Sequence, residues 1–263
     1  MIREKRTSPH SLARRWWRKE SYKALPKNKA NEKGVDFLLD SYKTIAEHGQ
    51  EEIVIRGSRF ICTIERVQTE EEAKDFIQRI KKEHWKATHN CSAYLIGDTD
   101  EIQRAHDDGE PSGTAGVPML EVLKKNELHY VAAVVTRYFG GTKLGAGGLI
   151  RAYSKSVSTA LRSIGIVERS LQLPIACRVS YSASGKLENQ LLQSAYALLD
   201  TSYTDTVTFS VGVPTPQAEE FQSEYINFMN GNISFSIGEE QYVERLLSNK
   251  DEEDDFEDEE FDD

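Results

Sequence analysis

The sequence predicts an α+β chain of two domains, and three observations carry that prediction. The run from His129 to Phe139 is apolar and rich in β-branched residues, as in a strand covered on both faces. It leads through a glycine-rich loop into a helical pattern with Leu149, Tyr153, Val157, Ala160, Leu161 and Ile164 on one face. Strand and helix patterns continue past residue 165, and beyond it their order reads as βαββαβ, that of a ferredoxin-like sandwich. The 263 residues, 38% of them hydrophobic, suffice for a sizeable core.

Residues 1–45 read as a basic, flexible N-terminal arm. The stretch Arg14-Arg15-Trp16-Trp17-Arg18-Lys19 sets basic residues beside aromatics, a pattern also suited to nucleic acid or an acidic surface. Within the arm, residues 35–42 have a short apolar pattern suited to packing on the first domain. That domain spans 46–165. Residues 52–56 and 59–67 read as strands around a Gly57-Ser58 turn. Thr69 and Glu72 have capping-box spacing and open a helix with Ala73, Phe76, Ile77 and Ile80 on its apolar face. Residues 87–96 and 101–106 read as strands, 107–116 as a loop of Gly, Pro and acid, and 117–125 as a short helix with Pro118 in its first turn.

The second domain spans 166–247. Residues 171–181 read as a strand and 186–199 as a helix carrying Leu187, Leu191, Ala195 and Leu198. Residues 202–213 read as a strand. Thr215 is expected to cap a helix that starts with Pro216 and ends at Asn230-Gly231, and 232–237 is an alternating strand. Residues 248–263 read as an acidic, disordered tail. The domains are expected to fold separately, meeting near residues 165–170, with arm and tail dispensable for folding.

The net charge of -10 hides two opposite ends. Residues 1–33 carry eleven Lys/Arg against three Asp/Glu, whereas 251–263 carry eleven Asp/Glu and no base. Cys62, Cys91 and Cys177 are odd in number and far apart, which points away from a disulfide scaffold or zinc module and toward a reduced, cytoplasmic protein. No apolar run approaches the roughly 18 residues of a membrane span.

The candidate chemistry centres on Gly140, Gly141, Gly145, Gly147 and Gly148. Strand, glycine loop and helix N-terminus together suit an anion, because free amides and the positive end of the helix dipole meet there. Arg137, Lys143 and Arg151 bracket the loop. The spacing matches neither a G-x-x-x-x-G-K-[ST] nor a G-x-G-x-x-G motif. Spacing alone therefore leaves two alternatives, an anion site or a tight turn whose glycines let helix and sheet pack closely. His89 and Cys91 face the same way on a strand; a packed thiol is the commoner identity than a nucleophile pair. His106 beside Asp107 reads as a strand-end histidine in a hydrogen-bond network rather than a general base.

The stretch DDGEPSGT from Asp107 to Thr114 and the stretch VVTRYFGGTKLGAGGLIRAY from Val134 to Tyr153, with HNCSAY from His89 to Tyr94, resemble the signature of the IMPACT family in its bacterial YigZ-type branch. The resemblance covers about residues 50–240. It implies an N-terminal α/β sandwich like the second domain of a small-subunit ribosomal protein and domain IV of elongation factor G. It implies a C-terminal ferredoxin-like domain like domain V of that factor. Eukaryotic relatives regulate translation through a stress kinase and carry an additional RWD domain. The first 45 residues here are too short and too polar for one, so the kinase role is not carried over.

Transferred residue by residue, the resemblance marks Arg137, Gly140, Gly141, Lys143, Gly145, Gly147, Gly148 and Arg151 for nucleic-acid or phosphate contacts. It marks Asp107, Asp108, Glu110, Ser112 and Thr114 as a supporting loop, in which Asp107, Asp108 and Glu110 either orient those bases or form a structural ion-pair network that fixes the two loops. No catalytic residue, metal or cofactor is expected, although the loop's carboxylates are of the kind that hold magnesium. The expected protein is a non-enzymatic RNA- or ribosome-binding modulator of translation, with a protein partner possible and no membrane. The alternative is an enzyme binding a small phosphorylated metabolite or nucleotide at the same loop.

Overall fold

A computed structural model of the chain describes residues 39–247, so most of the basic arm and the whole acidic tail lie outside the described residues. The first domain is built on an antiparallel sheet in the order β2 (Gly49–Ile55), β3 (Ser58–Arg66), β6 (Val131–Tyr138), β4 (His89–Ile96), β5 (Ile102–His106). Helices α2 (Gly116–Lys125) and α3 (Gly145–Ile164) cover one face, and α1 (Glu70–Glu83) covers the other. This explains the uninterrupted apolar run of β6. Val131, Ala133 and Val135 join Cys91, Leu123, Leu149 and Tyr153 in one core, while Ala132 and Val134 join Phe76, Ile80 and Tyr94 in the other. The alternation of a strand is hidden because both of its faces are dry.

Local signals hold closely. The Thr69 hydroxyl accepts the Glu72 amide at 3.2 Å, and the Glu72 carboxylate reaches back to the Gln68 amide at 2.7 Å, one residue upstream of the usual box. Between β2 and β3 the chain turns on Arg56 and Gly57, one residue before the expected Gly57-Ser58, because both hold the positive φ (46° and 80°) that a two-residue hairpin of matching twist requires and Ser58 already pairs with Ile55.

The second domain has the sheet order β10 (Ser234–Ile237), β7 (Ile166–Val179), β9 (Val207–Val213), β8 (Ala197–Tyr203), all antiparallel. With α4 (Tyr181–Gln193) after β7 and α5 (Ala218–Phe228) after β9, this is the expected βαββαβ arrangement. Its core gathers Ile175, Cys177, Leu187, Leu191, Phe209, Phe221 and Tyr225.

Three expectations in this half are corrected. The helix expected to run to residue 199 stops at Gln193, because Ser194 is extended (ψ 169°) and its hydroxyl accepts the Tyr196 amide. Leu198 then stands opposite Val211 in the sheet. The single strand expected over 202–213 is the second half of a hairpin, turned where the Thr204 amide meets the Thr206 carbonyl at 2.9 Å. Thr215 opens a 3₁₀ turn rather than capping α5 directly.

A further strand at each end of the described chain went unforeseen. β1 (Ser41–Ile45), placed by the sequence in the flexible arm, and β11 (Gln241–Leu247) both pair with the first half of β7, while its second half pairs with β9 and β10. The arm's boundary at residue 45 therefore moves back to the start of β1. One strand belongs to both domains, and the described residues form a single compact unit, so the expectation of two separately folding domains meeting near residues 165–170 is revised: β7 runs unbroken through that boundary. At this joint the Glu244 carboxylate takes two bonds from Arg66 (2.6 and 3.0 Å) and lies 3.1 Å from Arg169. Arg169 in turn donates to the Tyr42 hydroxyl at 2.6 Å and stacks under the Tyr42 and Tyr242 rings.

Candidate functional site

The candidate site lies where β6 ends. Arg137 shares the α3-facing side of β6 with Val131, Ala133 and Val135, so its side chain enters the core instead of the solvent. It donates to the Glu110 carboxylate at 2.6 Å, with the two side chains only 6% and 4% exposed. The Tyr153 hydroxyl donates to the same oxygen at 2.9 Å. The rings of Phe60 and Phe139 flank the guanidinium at 5.3 and 5.6 Å. Arg137 also reaches the Ser58 hydroxyl at 3.4 Å, and that hydroxyl accepts the Gly140 amide at 3.1 Å. The expectation that Arg137 would contact a phosphate is therefore revised: it is committed to Glu110 and holds the glycine loop from beneath.

The acidic loop ties neighbouring elements together. The Asp107 carboxylate accepts the amides of Gly113 (2.8 Å), Ala115 (3.0 Å) and Gly116 (2.8 Å), capping α2, whose own N-cap residue Ala115 has no side chain to do so. Partial burial pushes the Asp107 carboxyl up, but the three amides together outweigh it and hold the group below its ordinary value. Asp108 accepts the Asn90 amide at 2.7 Å and pairs with Lys81 at 2.6 Å, and its carbonyl lies 2.8 Å from the His89 imidazole. Thr114 bonds the Pro111 carbonyl at 2.7 Å, and Ser112 is exposed. The carboxylates are thus engaged by amides and bases, and no cluster suited to a metal ion occurs among the described residues.

The glycine loop divides in two. A Cβ on Gly140 would fall 1.9 Å from the Gly57 carbonyl carbon and 2.3 Å from the Ser58 amide nitrogen, so only glycine lets this loop meet the β2–β3 turn. Gly141 and Gly145 turn the chain with φ of 91° and 69°, and Gly148 is buried. Gly147 differs from these. Its backbone is ordinary, and a Cβ there would meet nothing within 4 Å. It stands in the exposed first turn of α3, whose N-cap residue Leu144 makes no side-chain cap bond. Lys143 and Arg151 are exposed beside it. The two alternatives left by the spacing both find an address, close packing at Gly140 and an open amide surface at Gly147.

Cys91 is buried, its thiol directed at the Asp107 carbonyl (2.9 Å) and the Tyr153 hydroxyl (3.3 Å). Burial pushes the thiol up to about 12 and raises the Tyr153 phenol as well, so neither group is an ionised nucleophile at neutral pH. His106, expected in a hydrogen-bond network, stands exposed at the end of β5. From the sequence Ser58 reads as a turn residue and Tyr153 as a helix-face residue, with no sign that Ser58 meets Arg137 and the Gly140 amide or that Tyr153 bonds Glu110, 27 residues before Arg137. A separate cavity of about 450 Å³ between β1 and the end of α2 is lined by Lys43, Asp100, Glu127 and His129; Lys43 pairs with Glu127, and the His129 imidazole lies 2.9 Å from the Asp100 carboxylate.

A family model described as the Impact N-terminal domain matches residues 56–161, and one described as a domain of unknown function (DUF1949) matches residues 177–232. IMPACT family member YvyE of Bacillus subtilis is 54% identical over 211 residues, covering 80% of this chain and 97% of the relative. IMPACT family member YigZ of Escherichia coli is 34% identical over 188 residues, covering 71% and 92%. An IMPACT family member of Haemophilus influenzae is 35% identical over 188 residues, covering 70% and 90%. The site residues described above all fall within the first match.

Proposed function

The chain belongs to the IMPACT family, and from that premise we propose that it is a non-enzymatic, cytoplasmic modulator of translation that binds RNA on or near the ribosome through the glycine loop 140–148. The observation that carries the proposal is the open first turn of α3. Uncapped amides, a glycine with no steric reason to be one and the exposed Lys143 share one surface, a combination that suits phosphate oxygens. Lys143, Arg151 and the amides of residues 145–147 are the contact groups. Arg137, Glu110 and Asp107 keep the surface in place from below. A high thiol and a high phenol in the adjoining buried cluster support a structural role there over a catalytic one.

Binding of RNA and of ribosomes, measured at several salt concentrations, tests this. Affinity should fall steeply with salt, and Lys143→Ala should weaken binding across sequences and reduce the salt slope by about 0.7 to 1. Unchanged affinity and slope in a folded Lys143→Ala variant would remove Lys143 from the surface. Absence of RNA and ribosome binding in the wild type, with saturable uptake of a nucleotide or sugar phosphate, would replace the proposal by an enzyme of phosphorylated metabolites.

A further inference from the structure

We infer that the end of the first domain's sheet beside the glycine loop is a stacking platform for unpaired bases, with Trp85 and Phe139 as the stacking side chains, so that the RNA taken there is single-stranded. The inference rests on the phosphate-binding proposal above and names its substrate class.

After α1, residues 84–88 fold onto the end of β6. His84 Nδ1 lies 3.0 Å from the Tyr138 hydroxyl, the Thr88 amide donates to the Arg137 carbonyl at 2.8 Å, and the Thr88 hydroxyl accepts the Phe139 amide at 3.1 Å. These bonds hold Trp85 and Phe139 at the same end of the sheet. Trp85 is 73% exposed and Phe139 48%, although the same domain buries Phe60, Phe76, Tyr94 and Tyr153 almost completely. Two large rings are thus left in solvent where the fold had dry places for others of their kind.

Both rings carry cations. The Lys86 ammonium lies 5.0 Å from the Trp85 ring centre, and the Arg137 guanidinium 5.6 Å from that of Phe139. Arg56, at the tip of the β2–β3 turn that Gly140 packs against, is exposed and holds a positive φ that asparagine or glycine would adopt more easily. With Lys86 on Trp85 and Lys143 in the glycine loop, Arg56 makes three basic residues besides Arg137 on the segments that meet at this end of the sheet. The acids named here are already partnered or beside a base: Glu110 is committed to Arg137, Glu52 pairs with Arg59, and Glu83 lies next to His84. Exposed rings among cations fit a single strand, whose bases offer their faces for stacking while its phosphates meet the charges. A duplex hides those faces and offers its backbone alone.

The test uses the full chain carrying Trp16→Phe and Trp17→Phe, which leaves Trp85 as its one indole. A 12-nucleotide single-stranded RNA should quench its fluorescence on binding, and a hairpin duplex of equal charge should bind more weakly with little quenching. By fluorescence anisotropy of an end-labelled strand, which needs no indole, Trp85→Ala and Phe139→Ala should each weaken single-strand binding about 5- to 150-fold with the salt slope unchanged, since stacking releases no counterions. Trp85→Phe and Phe139→Tyr should restore most of the affinity. Equal affinity for single strand and duplex, with no loss on removing either ring, would overturn the stacking inference and leave the phosphate surface standing. An alanine loss that the aromatic variants do not restore, at unchanged thermal midpoint, would also overturn it. No binding of either RNA would overturn the phosphate surface and the platform together.

Discussion

Glu110→Ala is the sharpest test of how the glycine loop is held. The substitution leaves the Arg137 guanidinium, 5% exposed, without its counter-charge, and leaves the Tyr153 hydroxyl without its acceptor. Breaking a buried ion pair from one side costs about 3–5 kcal/mol. For a fold of this size each kcal/mol moves the thermal midpoint by roughly 2–4 °C, so a fall of about 6–20 °C is expected. Glu110→Gln, which keeps a carbonyl oxygen toward Arg137, should lose less. The double variant Glu110→Leu/Arg137→Met, which removes both charges, should lose much less than the sum of its single variants. Thermal and urea unfolding followed by far-ultraviolet circular dichroism read the wild type, Glu110→Ala, Glu110→Gln, the double variant and its two single variants. A loss below about 1 kcal/mol in Glu110→Ala, the range of solvent-exposed pairs, would refute the burial of this pair and return Arg137 to the list of available phosphate contacts.

Gly140→Ala should destabilise the fold by about 1–3 kcal/mol or more through collision with the Gly57 backbone, while Gly147→Ala should leave stability equal or up to about 1 kcal/mol higher and weaken RNA binding; chemical unfolding of the pair checks the contrast. Asp107→Asn should cost about 1–2 kcal/mol at pH 7, because an amide nitrogen would face one of the three N–H donors. Since the Asp107 carboxyl is held below its ordinary value in the fold, its contribution is full above the unfolded value near 3.9 and fades as pH falls through the folded one. Wild type and variant should therefore converge in stability below about pH 4; a constant gap would contradict the role given to the carboxylate. Tryptophan fluorescence and circular dichroism should report one urea transition for the wild type, and Glu244→Ala, which unties Arg66 and Arg169, should separate the two domains' midpoints. Two midpoints already in the wild type would contradict a shared joint.

Much of this architecture was legible because it is written locally. The capping box at Thr69, the hairpin turn at Gly57 and the stop at Asn230-Gly231 each depend on a few adjacent residues. Leu198 misled because its spacing from Leu187 and Leu191 fits a helix, whereas the bond of Ser194 to the Tyr196 amide ends α4 before it. β1 and β11 were missed for a different reason. Their residues are half polar, and what makes them strands is the edge of β7, more than 100 residues away for β1. The candidate site was legible as a set of residues and not as an arrangement. Arg137 and Lys143 are both basic neighbours of glycines, yet strand alternation sends Arg137 inward to Glu110 while Lys143 stands in the exposed loop. Only the position of α3 over that face of β6 decides between them.

The shared strand also sets an order of events. Tyr42 and Arg169 meet across 127 residues of sequence, and Arg66 and Glu244 across 178, so the joint is among the least local parts of the fold. On a translating ribosome, β1 is ready when β7 emerges, but β11 follows some 70 residues later, roughly 4–15 s at ordinary elongation rates. For that interval the first half of β7 has β1 on one side and a bare hydrogen-bonding edge on the other, the kind of edge that recruits a foreign strand. Chains that pause between residues 180 and 240 prolong that exposure, and the last seven described residues are what end it.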